Sequence, residues 1–176
     1  MRWAGVLARP AVASGPVAAL GPLLVRHGAP RLAHQVVSSS DEELERRLRS
    51  PLWGPPVLWA VLRAMPGRIA RGSSLEAVVE WRVHTQRGRT LVRRLHVDAA
   101  GGRLTRAGAG DPPPDLVLEL SDADLLRLAV GQRSVTWLVL RGRLRLEGSK
   151  VLAARLLLVV QPPPVPSALH GRRAPR

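Results

Sequence analysis

The 176-residue chain contains no cysteine, no phenylalanine and no tyrosine, and Lys150 is its one lysine. Without cysteine there are no disulfides, no thiolate zinc sites and no cysteine nucleophile, so no metal or cofactor is expected. Any metal chemistry would have to rest on five scattered histidines and the carboxylates. With five tryptophans as the whole aromatic complement, stacking on nucleic-acid bases has little to work with. No run approaches the roughly 18 unbroken apolar residues of a spanning helix. The near-absence of lysine, beside abundant arginine, alanine, glycine and proline, is what the codons of a GC-rich, bacterial genome encode, so the net charge of +14 partly reflects coding bias.

That charge is spread thinly. Residues 1–40 carry +4, residues 41–72 carry +2, residues 73–160 carry +5, and Arg172, Arg173 and Arg176 add +3. Half of it falls in segments that read as unfolded. A nucleic-acid interface wants a concentrated stripe, so nucleic acid is an unfavoured partner, while weak contact with an anionic membrane stays open. Residues 1–39 read as a disordered Ala/Gly/Pro/Arg-rich leader, because Pro10, Pro16, Pro22 and Pro30 interrupt any helix. Arg9 and Pro10 cut a signal-peptide core short, which suits a cytoplasmic protein. Residues 162–176 read as a Pro/Arg-rich tail, leaving 40–161 as the folded domain.

Within that domain, Ser40 and Glu43 have capping-box spacing ahead of Leu44 and Leu48. A second helix carries Val57, Leu58, Val61, Leu62 and Met65 on one face, read as core packing. The period then changes to two: Ala77, Val79, Trp81 and Val83 alternate with polar residues. A turn at Arg87-Gly88-Arg89 would set Val79 opposite Val97, Trp81 opposite Leu95 and Val83 opposite Arg93. A short strand follows around Arg103–Arg106, then one at Asp115–Leu120 that runs into a helix signalled by Ser121, Asp122 and Asp124. The segment Leu140–Glu147 alternates strictly and predicts a strand with a charged, solvent-facing side, so the sheet is covered on one face. The closing helix, Lys150–Val160, is apolar almost all round and needs apolar material on both sides.

No enzyme constellation emerges. The glycines between 101 and 110 follow no phosphate-loop pattern. Asp122 and Asp124 sit where helix capping explains them, His84 and His96 do not face one another and lack a third ligand, and Ser121 has no base at readable spacing. A non-catalytic protein is expected.

The stretch PDLVLELSDADLLRLAVGQ, followed by LRGRLRLEGSKVLAARL, resembles the carboxyl half of the sterol carrier protein 2 (nonspecific lipid-transfer) domain family. The matching positions are Asp122, Asp124, Leu125, Leu126, Leu128 and Gly131, then Gly142 through Leu146 with Gly148, then Leu152, Ala153, Arg155 and Leu156. Where that family places aromatics before the glycine this chain has Val139 and Leu140, and Ser134–Trp137 replace its Asn-Pro. The resemblance implies an α/β (α+β) fold: a five-stranded, mainly antiparallel sheet covered on one face by helices and enclosing an apolar cavity. It also implies an apolar ligand, such as a lipid, a sterol or acyl-coenzyme A, held by a carrier or by an accessory of a lipid-processing enzyme. The residues expected to line the cavity are Trp81, Val83, Leu118, Leu125, Leu128, Trp137, Leu140, Leu144, Leu152 and Leu156. The competing reading is a basic nucleic-acid or protein-docking module without ligand.

Overall fold

The computed structural model describes residues 29–72 and 74–159. In chain order they form α1 (Ala29–Ser38), α2 (Asp41–Arg49), α3 (Gly54–Ala64), a 3-10 turn (Pro66–Arg68), β1 (Ala77–His84), β2 (Thr90–Asp98), β3 (Gly101–Arg106), β4 (Leu116–Ser121), α4 (Asp122–Ala129), α5 (Val135–Leu140), β5 (Leu144–Gly148) and α6 (Lys150–Val159). The five strands make one sheet in the order β3-β2-β1-β4-β5. The β1–β4 pair is parallel and the other three pairs are antiparallel.

Helix α1 lies inside the stretch read as a leader, so the ordered chain begins before Ser40. Pro30, counted from sequence as a breaker, stands in the first turn of α1, where a proline costs no hydrogen bond. Val36 of this helix is fully buried, and Ser39 Oγ donates to Gln35 O at its end (2.7 Å). The leader over residues 1–28 and the tail over 162–176 lie outside the described residues. As expected, α2 starts at a Ser40 cap that accepts from Glu43 N–H (3.2 Å) and buries Leu44 and Leu48. Helix α3 buries Val57, Leu58 and Leu62 with the same stripe of residues read from the sequence.

The strands divide cleanly by face. Ala77, Val79, Trp81 and Val83 of β1 meet Leu116, Leu118 and Leu120 of β4, Leu95 and Val97 of β2, and Leu144 of β5 on the inner side. The outer side carries charge that is largely compensated: Glu80 accepts from Arg94 Nε (3.0 Å) and pairs with Arg82 (2.8 Å), His84 Nε2 lies 2.6 Å from Glu119, and Arg145 lies 3.3 Å from Glu147.

Two local readings need correction. The β1–β2 register is Val79↔Leu95, Trp81↔Arg93 and Val83↔Leu91, two residues away from the expected pairing but on the same face. The three-residue loop is Gln86-Arg87-Gly88, closed by Thr85 N–H donating to Arg89 O (2.8 Å). Such a loop needs its left-handed residue in third place, and Gly88 (φ 70°) takes that place rather than the middle. Second, Leu140 and Gly142 are not in a strand. Ser134 Oγ accepts from Trp137 N–H (3.1 Å) and starts α5. The helix ends with the N–H groups of Gly142 and Arg143 donating to the carbonyls of Val139 (3.0 Å) and Leu138 (2.8 Å), so β5 starts at Leu144.

Candidate functional site

The inner sheet face and the helices over it bring eight of the ten expected residues into one apolar cluster. Trp81, Val83, Leu118, Leu125, Leu144 and Leu156 are buried there, and Leu128 and Leu152 pack against it half-buried. Trp137 and Leu140 stand apart on α5: Trp137 is 37% exposed and Leu140 80% exposed. The guanidinium groups of Arg133 and Arg141 lie 4.9 and 5.7 Å from the Trp137 ring. Helix α6 reaches the core through Leu156, with Leu152 and Ala153 beside it, while Val151 is 65% exposed. Inside the cluster, the Trp81 Nε1 hydrogen points at no acceptor among the described residues, although the residue is 92% buried. A buried donor left unpaired costs about 1–3 kcal/mol, which marks this spot on the apolar face as chemically unfinished.

A cavity of about 470 Å³ opens at the β3 edge of the same face, between α3 and strands β2 and β3. Trp59 and Arg63 of α3, Arg93, Leu104, Arg106 and Gly102 line it, and none of the ten expected residues does. Gly102 shapes it by absence: a Cβ there would come within 2.9 Å of Pro66 Cα and Ile69 Cγ1, so only glycine lets the 3-10 turn lie against β3. Sequence reading passed over these arginines because in a strand an arginine reads as solvent-facing. The signal available was parity, since Arg93 and Arg106 share the alternation of Leu95, Val97 and Leu104.

The acids that could suggest catalysis are engaged structurally. Ser121 Oγ accepts from Asp124 N–H (3.1 Å) and donates to Asp124 Oδ2 (2.8 Å), closing the expected cap. The Asp124 carboxylate, 3% exposed, also receives Arg143 Nε (2.9 Å) and Arg133, and Arg133 continues to Asp41 (2.6 Å), which in turn pairs with Arg127 (2.7 Å). Burial raises the Asp41 carboxyl, but the Arg133 and Arg127 guanidiniums outweigh it and hold the group below its ordinary value. Burial pushes the Asp122 carboxyl up, against the N–H groups of Gln86 (2.9 Å) and Ala123 (2.8 Å) that it accepts. Among the described residues no three His, Asp or Glu side chains are grouped to hold a metal, and no helix is long and apolar enough to cross a membrane.

The molecule is thus an α+β domain built around one apolar, helix-covered face of a mixed five-stranded sheet. The model of the SCP-2 sterol transfer family matches residues 61–158, from within α3 to the end of α6, and the chain belongs to that family. No curated protein matches it. Solved structures similar to it include the sec-alkylsulfatase Pisa1 from Pseudomonas sp., at 12% identity and TM-score 0.48, over 58% of this chain and 16% of that one. They also include sterol carrier protein 2 like 2 from Aedes aegypti, at 16% identity and TM-score 0.40, over 81% of this chain and 99% of that one. A third is sterol carrier protein 2 from Yarrowia lipolytica, at 18% identity and TM-score 0.38, over 65% of this chain and 88% of that one. The chain spans about 16% of the length of the sulfatase.

Proposed function

We propose that the protein is a non-catalytic carrier, or an accessory of a lipid-processing pathway, that holds an apolar ligand between the inner sheet face and its helices. Family membership supports this reading, and the observation that carries it is the seating of α6. In a helix whose sequence is apolar on nearly every side, residues 151–156 send Leu156 into the core, hold Leu152 and Ala153 half-buried and leave Val151 and Ala154 exposed. A lipid chain entering beneath this helix would bury apolar area at roughly 25 cal/mol per Å². Trp81, Val83, Leu118, Leu125, Leu128, Leu144, Leu152 and Leu156 would then line the ligand's path. Trp137 and Leu140, exposed on α5 between arginines, suit contact with an anionic membrane during loading, and the unit that carries the ligand includes α1, whose Val36 joins the core. The nucleic-acid alternative is weakened by the ion pairs on the outer face, which leave no continuous cationic stripe there.

Native mass spectrometry and solvent extraction of the purified protein test this. The expected result is a co-purifying lipid, or saturable binding of a fluorescent fatty acid. A protein that is empty and also leaves the probe unbound would end the carrier reading.

A further inference from the structure

Among the described residues, several arginines have a carboxylate partner. Arg94 pairs with Glu80, Arg127 with Asp41, Arg133 with Asp41 and Asp124, and Arg143 with Asp124, while Arg68 Nη2 donates to Ala129 O at the end of α4 (3.1 Å). The cavity at the β3 edge gathers three arginines without a carboxylate partner. Half-buried Arg93 and exposed Arg106 are cross-strand partners on the inner face, and exposed Arg63 joins them from α3, its guanidinium 4.9 Å over the Trp59 ring. Arg93 Nη1 donates to the carbonyl of Val92 (2.7 Å), and no carboxylate lies within 4 Å of Arg63, Arg93 or Arg106. All thirteen Asp and Glu side chains belong to the described residues, and none of them supplies that counter-charge. Burial and the neighbouring Arg106 both disfavour the charged form of Arg93.

A half-buried guanidinium facing a second one is disfavoured unless an anion sits between them. A guanidinium fork matches carboxylate and phosphate oxygens in two parallel hydrogen bonds. The cavity is also not a bare anion hole. Leu104 and the Trp59 ring give it apolar walls, and Trp81, directly opposite Arg93 on β1, continues the same face inward and brings its unpaired Nε1 hydrogen.

We infer that Arg63, Arg93 and Arg106 form the receptor for a carboxylate or phosphate, the acidic head of an amphiphile whose tail runs past Trp81 along the inner face. This rests on the carrier reading and narrows it to acidic amphiphiles.

The test compares four probes on the full chain by calorimetry: palmitate, lysophosphatidic acid, uncharged hexadecanol and inorganic phosphate. The variants are Arg93→Gln with Arg106→Gln, and a charge-matched control, Arg46→Gln with Arg49→Gln, on the exposed side of α2. The expected result is tighter binding of the two acidic lipids than of hexadecanol, a loss of about tenfold or more in the Arg93/Arg106 variant, and no change in the control. Phosphate binding that is equally strong without a tail, and equally lost, supports the anion site with a free anion as its source. Acidic lipids that bind no better than hexadecanol, or that bind undiminished to the variant, overturn the anion site and leave the carrier reading standing. Failure of every lipid overturns the carrier reading itself. Thermal melting guards against misfolding: phosphate at fixed ionic strength should raise the Tm of the wild type and not that of the Arg93/Arg106 variant, and equal rises in both would also overturn the site.

Discussion

Asp124 occupies a helix start, a place where an acid ordinarily does no more than favour the dipole. Here it also ties α4 to the chain on either side of α5, through Arg133 and Arg143, and by way of Arg133 to Asp41 at the start of α2. Asp124→Ala takes from half-buried Arg133 one of its two carboxylates and leaves exposed Arg143 without one, so chemical denaturation should show a loss of about 2 kcal/mol. A loss below about 1 kcal/mol would show that solvent already satisfies those arginines. Asp41 adds a pH dependence to the same network. Its carboxyl is held below the ordinary 3.8, so its share of stability is complete above that pH and is lost as the pH falls through the lowered folded value. Asp41→Asn should therefore flatten the acid limb of a stability-pH curve below pH 3.8 while leaving its slope near neutrality unchanged. Parallel acid limbs in the two proteins would remove Asp41 from the account. The cavity arginines Arg63, Arg93 and Arg106 belong at this scale too, as residues the sequence displayed without their geometry.

At the scale of elements, what was legible had strong local signals. The Ser40 and Ser121 caps, the stripe of α3 and the alternation of β1 all carried into the structure, because each depends on neighbours within a turn or two of chain. The failures came where two local codes overlap. Leu140, Arg141, Gly142, Arg143 and Leu144 alternate like a strand, yet the first three finish α5, because the Ser134 cap had already committed the backbone to a helix. Pro30 read as a breaker because its role depends on where the helix begins. The hairpin kept the right face and lost the register, since parity is set by burial but pairing is set by where the turn accepts its glycine. Most of the apolar cluster was readable from periodicity. The cationic cavity was not, because it forms from three separate elements, with Gly102 admitting the 3-10 turn beside them.

At the scale of the whole molecule, the sheet divides into an apolar side under helices and an outer side on which several charges are paired. The seam between β1 and β4 has its own consequence. β1 to β3 form a meander with short connections, and β4, α4, α5, β5 and α6 follow one another closely. The two parts meet in the sheet along one parallel ladder, pinned where Asp115 N–H donates to Val78 O (2.9 Å) and Asp115 Oδ2 accepts from Val78 N–H (2.8 Å). The exposed loop that joins them, around Gly108–Pro113, contributes no strand to that ladder. Cleaving the chain there should give two pieces that reassemble when co-expressed, the tagged first piece retaining the second on a column and the pair restoring the intact circular dichroism spectrum. Pieces that stay apart would mean that covalent continuity through the loop, and not the ladder, holds the halves in place. If they do reunite, the halves of this domain are separable partners that happen to be written on a single chain.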